Sequence, residues 1–215
     1  MNEIYDLKPK SIFDVVDKEF FIEYDDRDGP SAGHDYMHCG DYYELYYAIS
    51  KFYQPESILE IGVRYGYSLY CLIEGSDKVT YVLGYDTDEN IYRNQNFVSD
   101  KLKTDNLNTI DISQKYLNKF VTRDIEIQIK NENTQEIQEL DGFCDMIHID
   151  GDHSYDGKLH DLEITKKKCK VVVIDDYDHI SEVREATNRF VKENQSIIKN
   201  HYALKSFRGT YIIEY

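Results

Sequence analysis

Short runs of apolar and β-branched residues alternate along the chain with longer segments of helical periodicity. Ser57–Ile61, Asp145–Ile149 and Lys170–Ile174 are typical of buried strands, and "VTYVLGY" from Val79 to Tyr85 is rich in β-forming residues. This alternation predicts an α/β domain whose mostly parallel sheet is covered by helices on both faces. Because such sheets bind ligands at the carboxyl ends of their strands, a functional site is expected at that edge.

The remaining elements follow from periodicity and from turn residues. A helix is predicted from Asp41 until just before Pro55, because large apolar residues recur there at helical spacing. Arg123–Lys130 alternates with period two, which predicts a strand with one solvated face. The final "HYALKSFRGTYIIEY" predicts a hairpin that turns near Arg208–Gly209, and residues 1–39 look irregular, with a turn at "DRDGPSAGHD". Further helices are expected over residues 67–74, 90–100, 113–120, 134–140, 155–167 and 181–194, the last with Ser181 as its N-cap.

Charge and composition narrow the class of partner. The 215 residues carry a formal net charge of −16 and suit one domain with a sizeable core. A surface this acidic repels phosphate backbones and anionic membranes, so we expect a small-molecule partner, no nucleic acid and no membrane. The start "MNEIYDLKPK" lacks the pattern of a signal peptide, and no apolar run is long enough to span a bilayer, which together predict a cytoplasmic protein.

The four cysteines show no metal-binding spacing. They are Cys39, Cys71, Cys144 and Cys169. The last three stand in apolar contexts, so we expect them to be buried free thiols.

The stretch "ILEIGVRYGYSLYCLI" places two glycines between a predicted strand and a predicted helix. A P-loop would need a lysine after its last glycine, and none is present here. A dinucleotide loop would need a glycine where Arg64 stands between Gly62 and Gly66, so a pyrophosphate is disfavoured. A tight turn that binds no ligand is the simpler alternative.

Two acids near this loop favour a cationic ligand. Glu60 would repel a pyrophosphate, whereas it suits the sulfonium and amino group of S-adenosylmethionine (SAM). The two glycines would let the loop pass close beneath that ligand. Asp86 follows the second strand at roughly the 20-residue separation expected of an acid that binds both ribose hydroxyls. We therefore predict a SAM site formed by Glu60, Gly62, Gly66, Ser68 and Asp86.

A second group of acids follows the next two predicted strands. Neighbouring parallel strands would bring Asp150 close to Asp175 and Asp176, where the carboxylates raise one another's pKa unless a cation lies among them. An all-oxygen set of this kind suits Mg²⁺. His153 is placed to take the proton of an acceptor hydroxyl, whose oxygen then attacks the methyl group of SAM in line. We assign His153 and Asp150 to catalysis, and Asp150, Asp175 and Asp176 to the metal.

Simpler roles compete with these assignments. Asp-Gly-Asp is a common turn sequence, and the two adjacent acids after the later strand could cap the following helix. His179 competes with His153 as the base. His148 is expected in the core or against a helix, and His160 on the surface of its own helix.

The motifs together resemble those of class I SAM-dependent methyltransferases. More narrowly, the chain resembles the small metal-dependent O-methyltransferases of sugar and macrolide tailoring, which include the macrocin and mycinamicin enzymes. The matching stretches are "LEIGVRYGYSL", "GYDTD", "DMIHIDGDHSYDGKLHDLE" and "VVVIDDYDH", and the similar region begins near Gly33. The third is the most specific, since its turn is followed by a helix with an acid, Asp161, near its middle.

This resemblance implies a fold and a division of the chain. The expected fold is a Rossmann-like seven-stranded sheet in the order 3-2-1-4-5-7-6, with the last strand antiparallel. Residues 1–39 would form an N-terminal segment and lid, in which Asp35, Tyr36 and His38 help to enclose the site, and residues 40–215 the methyltransferase domain. The resemblance further implies a sugar or glycosylated acceptor, and it is compatible with a homo-oligomer. Tyr67 departs from the pattern because many relatives have glycine there, and it would either narrow the site or simply pack.

Other functions remain open at this level. A methyltransferase could use His153 or His179 without a metal, or a non-catalytic protein of the same fold could simply bind SAM. An NAD-dependent oxidoreductase is disfavoured by Arg64 in the loop and by the lack of a Tyr-x-x-x-Lys pattern. Crowded carboxylates are of no use to a scaffold, which favours an enzyme.

Overall fold

Seven strands form one sheet in the order β3-β2-β1-β4-β5-β7-β6 in a computed structural model that describes residues 2–21, 42–87 and 108–215. Neighbouring strands pair in parallel, except that β7 runs antiparallel to both β5 and β6. The predicted strand order and the antiparallel last strand are confirmed. The strands are β1 (Ser57–Ile61), β2 (Tyr81–Asp86), β3 (Glu126–Asn131), β4 (Cys144–Ile149), β5 (Cys169–Ile174), β6 (Asn200–Leu204) and β7 (Thr210–Glu214).

Helices cover both faces of this sheet. The α-helices of the described ranges are α1 (Asn2–Asp6), α2 (Tyr42–Tyr53), α3 (Tyr67–Gly75), α4 (Thr109–Phe120), α5 (Tyr155–Thr165) and α6 (Ser181–Glu193). Short 3-10 helices lie at Ile12–Asp14, Lys18–Phe21 and Thr134–Glu136. None of the described helices is long and apolar enough to cross a membrane.

Alternate residues of each strand enter two separate cores, as the period of a strand requires. Ile58 and Met146 face a core that includes residues of α2, α3 and α4. Leu59 and Ile147 face a second core, which includes residues of α5 and α6. The two cores give the layered architecture expected of a parallel sheet.

The N-terminal segment contributes to the first core over its described part. Residues 2–21 contain α1 and two 3-10 helices, although the sequence suggested an irregular chain. Four of its side chains are buried in the core: Ile4, Ile12, Val16 and Phe20.

Three helix boundaries differ from expectation. Helix α4 begins at Thr109 rather than at residue 113, because the Asn108 side chain accepts a hydrogen bond from the Asp111 N–H and caps it. The helix expected over residues 134–140 is a single 3-10 turn. Ser181 is not the N-cap of α6: Ile180 holds that position, and the Ser181 hydroxyl donates to Glu182 instead.

The cysteine prediction is confirmed where the structure describes the chain. Cys71, Cys144 and Cys169 are buried and free. Cys39, the turn at "DRDGPSAGHD" and the helix expected over residues 90–100 lie outside the described residues.

Candidate functional site

Glu60 and His148 face each other across β1 and β4. The register pairs the two residues, and His148 Nδ1 lies 2.5 Å from Glu60 Oε1. Both side chains are fully buried, and the Ser68 hydroxyl donates to the same Glu60 oxygen at 2.7 Å. The second oxygen, Glu60 Oε2, has no hydrogen-bond partner among the described residues. The predicted SAM-binding acid is thus held by a histidine that the sequence did not connect to it.

Burial and pairing act on this dyad in opposite directions. Burial raises the pKa of Glu60, while the hydrogen bond to His148 opposes that rise. For His148, burial favours the neutral ring, but the contact with Glu60 outweighs it and raises the pKa of the imidazole. Tyr46 of α2 packs its ring against His148, with the ring centroids 4.6 Å apart, and so covers the Glu60–His148 pair on the side of that helix. The two side chains therefore form a buried hydrogen-bonded pair at the start of the glycine loop.

The two glycines of the loop are required for different reasons. Gly62 has a φ of 88°, and a Cβ there would lie 2.3 Å from the carbonyl oxygen of Asp150. The loop after β1 therefore meets the loop after β4 backbone to backbone. Gly66 precedes α3 with a φ of 79°, while a Cβ there would make only ordinary contact with Leu117. Its left-handed backbone, rather than close packing, favours glycine at that position.

Asp86 ties the end of β2 to the glycine loop. One carboxylate oxygen accepts from the Arg64 N–H and the other accepts from the Thr87 N–H at 2.6 Å. Burial raises the pKa of Asp86 to about 6. The predicted ribose-binding acid is thus already part of the loop structure.

Asp150, His153 and Asp176 form a compact cluster at the carboxyl ends of β4 and β5. His153 Nε2 lies 3.0 Å from Asp150 Oδ1 and 3.3 Å from Asp176 Oδ2. One potential ligand atom from each of the three residues lies within 4.8 Å of the others. The His153 side chain is 39% exposed, whereas that of Asp176 is 2% exposed. The imidazole therefore bridges two carboxylates and remains open to an incoming molecule.

The charges of the cluster shift its pKa values in a consistent pattern. Burial would raise the pKa of Asp150, but the hydrogen bond with His153 and the charges of His153, His148 and Lys158 together outweigh it and lower that pKa. Contact with Asp150 likewise outweighs burial at His153 and raises the pKa of the imidazole. Burial and the charge of Asp150 raise the pKa of Asp176. Asp150 and His153 thus behave as an ion pair beside a more easily protonated Asp176.

Asp175 belongs to the same edge but turns to a different partner. Its Oδ2 accepts a hydrogen bond from the Tyr42 hydroxyl of α2, and its Oδ1 has no hydrogen-bond partner within the described ranges. Burial, followed by the charges of Asp150 and Asp176, raises its pKa to about 7. The sequence grouped Asp175 with the metal ligands, whereas the compact cluster of the structure has His153 in that place.

Helix α5 packs against the Asp150–His153 loop and carries two buried ionisable side chains, Lys158 and Asp161. Lys158 is fully buried, and its Nζ donates to the Ile149 carbonyl oxygen at 3.3 Å. Asp161, also fully buried, accepts hydrogen bonds from Thr134 Oγ1 and Gln135 Nε2. The helix begins at Tyr155, after the Ser154 hydroxyl accepts from the Gly157 N–H. The stretch from Asp150 to Ser154, which the sequence assigned to the site, therefore also supplies the N-cap of α5.

One cavity extends from the glycine loop after β1 to Asp150 of the acidic cluster. Its lining includes Tyr42, Gly62, Arg64, Ser68, Asp150 and Arg208. Arg208 lies in the β6–β7 connection, with its guanidinium carbon 5.7 Å from the centre of the Tyr42 ring. Tyr67 is buried beside this cavity and makes an edge contact with Tyr43. The sequence assigned no role to Tyr42 or Arg208, because neither forms part of a motif.

The competing histidines occupy distinct positions. His179 is exposed, and its backbone N–H donates to the carbonyl oxygens of Asp176 and Arg208. His160 is half-buried rather than a surface residue, since its Nε2 lies 2.9 Å from the Thr134 carbonyl oxygen. Asp35, Tyr36 and His38 lie outside the described residues.

Comparison with known proteins points to one family. A family profile described as a methyltransferase domain matches residues 59–177. No curated protein matches the chain.

Solved structures share the fold at low sequence identity. An O-methyltransferase from Bacillus cereus in complex with SAH is 18% identical with a TM-score of 0.55, over 82% of this chain and 81% of that one. The SAH-bound methyltransferase PaMTH1 of Podospora anserina is 16% identical with a TM-score of 0.55, over 81% and 77%. The O-methyltransferase TomG of Streptomyces achromogenes in complex with SAM, which is involved in tomaymycin synthesis, is 14% identical with a TM-score of 0.53, over 80% and 78%.

Proposed function

The chain belongs to the methyltransferase domain family, and we propose that it is a SAM-dependent O-methyltransferase acting on a hydroxyl of a small molecule. The observation that carries this proposal is the position of His153. Its ring nitrogen bridges Asp150 and Asp176, and Asp150 lines the same cavity as the glycine loop. A base and a methyl-donor site therefore adjoin each other. The sugar or glycosylated acceptor follows only from the resemblance of the motifs.

SAM would bind at the carboxyl ends of β1 and β2. Glu60 supplies a buried carboxylate near the positive end of the donor, and its unpaired Oε2 is free to accept a hydrogen bond. Asp86 can accept from the ribose hydroxyls with its remaining lone pairs. Gly62, Gly66 and Ser68 line or shape the loop between them. The B. cereus enzyme in complex with SAH and TomG in complex with SAM support this assignment.

A divalent cation, Mg²⁺ or similar, suits the acidic cluster. Asp150 and Asp176 offer ligand oxygens within a small volume, and Oδ1 of Asp175 and of Asp176 are buried without hydrogen bonds in the described part of the chain. The three carboxylates would hold the ion, which leaves His153 for the proton transfer. Unpaired buried carboxylate oxygens are costly unless a cation compensates them. When bound, such an ion would stabilise negative charge on the acceptor oxygen.

His153 acts as the general base in this proposal. Its Nε2 faces Asp150, which holds the ring in place, so Nδ1 is the ring nitrogen that receives the acceptor proton, and Asp150 stabilises the imidazolium that results. The raised pKa of His153 makes its neutral ring a stronger base, and turnover uses the fraction of the enzyme in which the ring is neutral. The rest of the catalytic effect comes from holding the acceptor oxygen in line with the donor methyl group while water is excluded.

A metal-independent variant is favoured by one specific contact. His153 already compensates two carboxylates, so the cluster can keep its charge balance without an ion. In that case methyl transfer would continue in the presence of EDTA.

The test combines binding with turnover. SAM binding is measured by calorimetry with and without Mg²⁺ on the wild type, Asp150→Asn and His153→Ala, and transfer from labelled SAM is followed in a metabolite extract. We expect His153→Ala to bind SAM but to lose about a hundredfold or more in rate, the usual contribution of a general base. His179→Ala is the matched control and should keep full activity. Absence of SAM binding at millimolar ligand would refute the proposal, and SAM binding without transfer would indicate a binding protein.

A further inference from the structure

Arg208 is held in the wall of the cavity by its own backbone. Its carbonyl oxygen accepts hydrogen bonds from the N–H groups of Asp178 and His179, each at 3.0 Å. The next residue, Gly209, accepts from the Tyr177 N–H at 3.1 Å and has a φ of 77°. A Cβ at Gly209 would lie 2.5 Å from the Cβ of Asp178, so the hairpin loop packs tightly on the turn after β5. The base of the arginine side chain is therefore fixed relative to the acidic cluster.

The guanidinium group of Arg208 is largely unused. Its Nη1 lies 3.8 Å from Asp176 Oδ1, beyond hydrogen-bond distance, and its carbon lies over the Tyr42 ring. Within the part of the chain that the structure describes, its ion-pair contact is this one with Asp176, and its side chain is 30% exposed. An arginine presents five N–H donors in a planar fork that matches a carboxylate or a phosphate. Here that fork lines the cavity that Asp150 also lines.

We infer that Arg208 binds an anionic group of the methyl acceptor, a carboxylate or phosphate close to the hydroxyl that is methylated. The inference rests on the proposed function, because it names the substrate class of the same site. Asp176 lies between the two groups, with one oxygen 3.3 Å from His153 and the other 3.8 Å from Arg208. The width of one carboxylate therefore separates the base from the anion-binding group. An acceptor whose hydroxyl reaches His153 has its neighbouring substituent beside Arg208.

A simpler role as the counter-ion of Asp176 fits the distances less well. A counter-ion of a buried carboxylate is expected to donate hydrogen bonds to it. Here Asp176 Oδ1 accepts none from any described residue. The charges of Tyr42, Asp176, Asp175 and Asp150 outweigh burial and raise the pKa of Arg208, so the acids do act on the guanidinium. Their direct contacts lie elsewhere, because Asp150 and Asp176 face His153 and Asp175 accepts from Tyr42.

The first test measures anion binding without turnover. Acetate and inorganic phosphate are titrated by calorimetry into the SAH-saturated wild type, Arg208→Met, Arg208→Lys and Arg184→Met. Arg184 is an exposed arginine of α6 and serves as the matched control. We expect Arg208→Met to bind the preferred anion roughly tenfold to a hundredfold more weakly, Arg208→Lys to be intermediate, and Arg184→Met to match the wild type. The anion that binds more tightly identifies the acceptor group as a carboxylate or a phosphate.

The second test follows labelled methyl groups into anionic and neutral fractions of a metabolite extract. Product in the anionic fraction, with a KM raised by Arg208→Met and a nearly unchanged kcat, supports the inference. Equal anion binding by wild type and Arg208→Met overturns it, as does product confined to the neutral fraction. A protein that binds neither SAM nor SAH would refute the proposed function instead. Thermal melting of each variant separates a loss of binding from a loss of folding.

Discussion

At the scale of single residues, a close contact between two backbone segments explains why position 62 is a glycine. The sequence predicted that this glycine makes room for a ligand, whereas the structure places the Asp150–Gly151 backbone against it. A Cβ at Gly62 would lie 2.3 Å from the carbonyl oxygen of Asp150, so any larger residue there would displace the backbone that carries the Asp150 carboxylate. A glycine in the cofactor loop thus sets the position of the acidic cluster.

Gly62→Ala should therefore destabilise the fold by more than the cost of placing alanine in a left-handed backbone conformation, because its Cβ would also clash with Asp150. We expect a loss of about 2–5 kcal/mol in the free energy of unfolding, from the left-handed backbone and the forced contact together. Gly142 is the matched control, since it has a φ of 73° but nothing within 4 Å of its would-be Cβ. Gly142→Ala should lose only about 1–2 kcal/mol. Urea unfolding of both variants checks this, and equal losses would show that the contact contributes nothing.

Asp161 gives a second prediction at this scale, through pH. Burial raises its pKa from 3.8 to about 6. Because the folded pKa lies above the unfolded one, folding takes up a proton between these values, and stability falls as the pH rises through that window. Above it, the buried carboxylate carries a constant penalty of about 2–3 kcal/mol.

Asp161→Asn removes that penalty while keeping an acceptor for Thr134 and Gln135. At neutral pH the variant should be more stable than the wild type by up to the same amount, and below pH 4 the two should converge. Asp156→Asn, at an exposed acid of the same helix, is the control and should change stability little. Urea unfolding across this pH range measures the effect, and parallel curves for wild type and Asp161→Asn would contradict it.

At the scale of elements, the strands were predictable and their register was not. The apolar runs located β1 and β4 correctly, because buried parallel strands need continuous apolar sequence. Nothing in those runs showed that Glu60 stands opposite His148, since register depends on the whole sheet. For the same reason the sequence did not show that Tyr42 of α2 donates a hydrogen bond to Asp175.

The Glu60–His148 contact between β1 and β4 predicts that substitutions of these two residues have strongly non-additive effects on stability. His148→Leu leaves the buried Glu60 carboxylate with the Ser68 hydroxyl as its hydrogen-bond donor among the described residues. The variant should lose about 3–5 kcal/mol in the free energy of unfolding. The double variant Glu60→Leu with His148→Leu should recover most of that loss, because neither charge is then buried. Denaturant unfolding of both single variants and the double variant completes the cycle. Additive losses would mean that the two side chains do not act as a pair.

At the scale of the whole molecule, the sheet edge that carries the acids was predictable from strand ends, and the strand order from resemblance. Alternating elements predict a parallel sheet, which brings acids at strand ends to one edge. The order 3-2-1-4-5-7-6 came only from the motifs that resemble methyltransferases, because periodicity does not fix the order of strands. Arg208 could not be found from sequence, since its position depends on how a hairpin loop packs on the turn after β5.

The net charge of the whole chain leads to a prediction about the donor and its product. SAM carries one more positive charge than SAH, and the chain has 41 acidic against 25 basic residues, a net charge of −16. The long-range part of this attraction is screened by salt, whereas a contact with buried Glu60 is screened much less. Raising NaCl from about 20 mM to about 500 mM should therefore weaken SAM binding several-fold and leave SAH binding almost unchanged. Calorimetry of both ligands at each salt concentration measures this, and Glu60→Gln should lower the SAM preference that persists at high salt. If SAM and SAH weaken in parallel, the acidic surface does not favour the methyl donor.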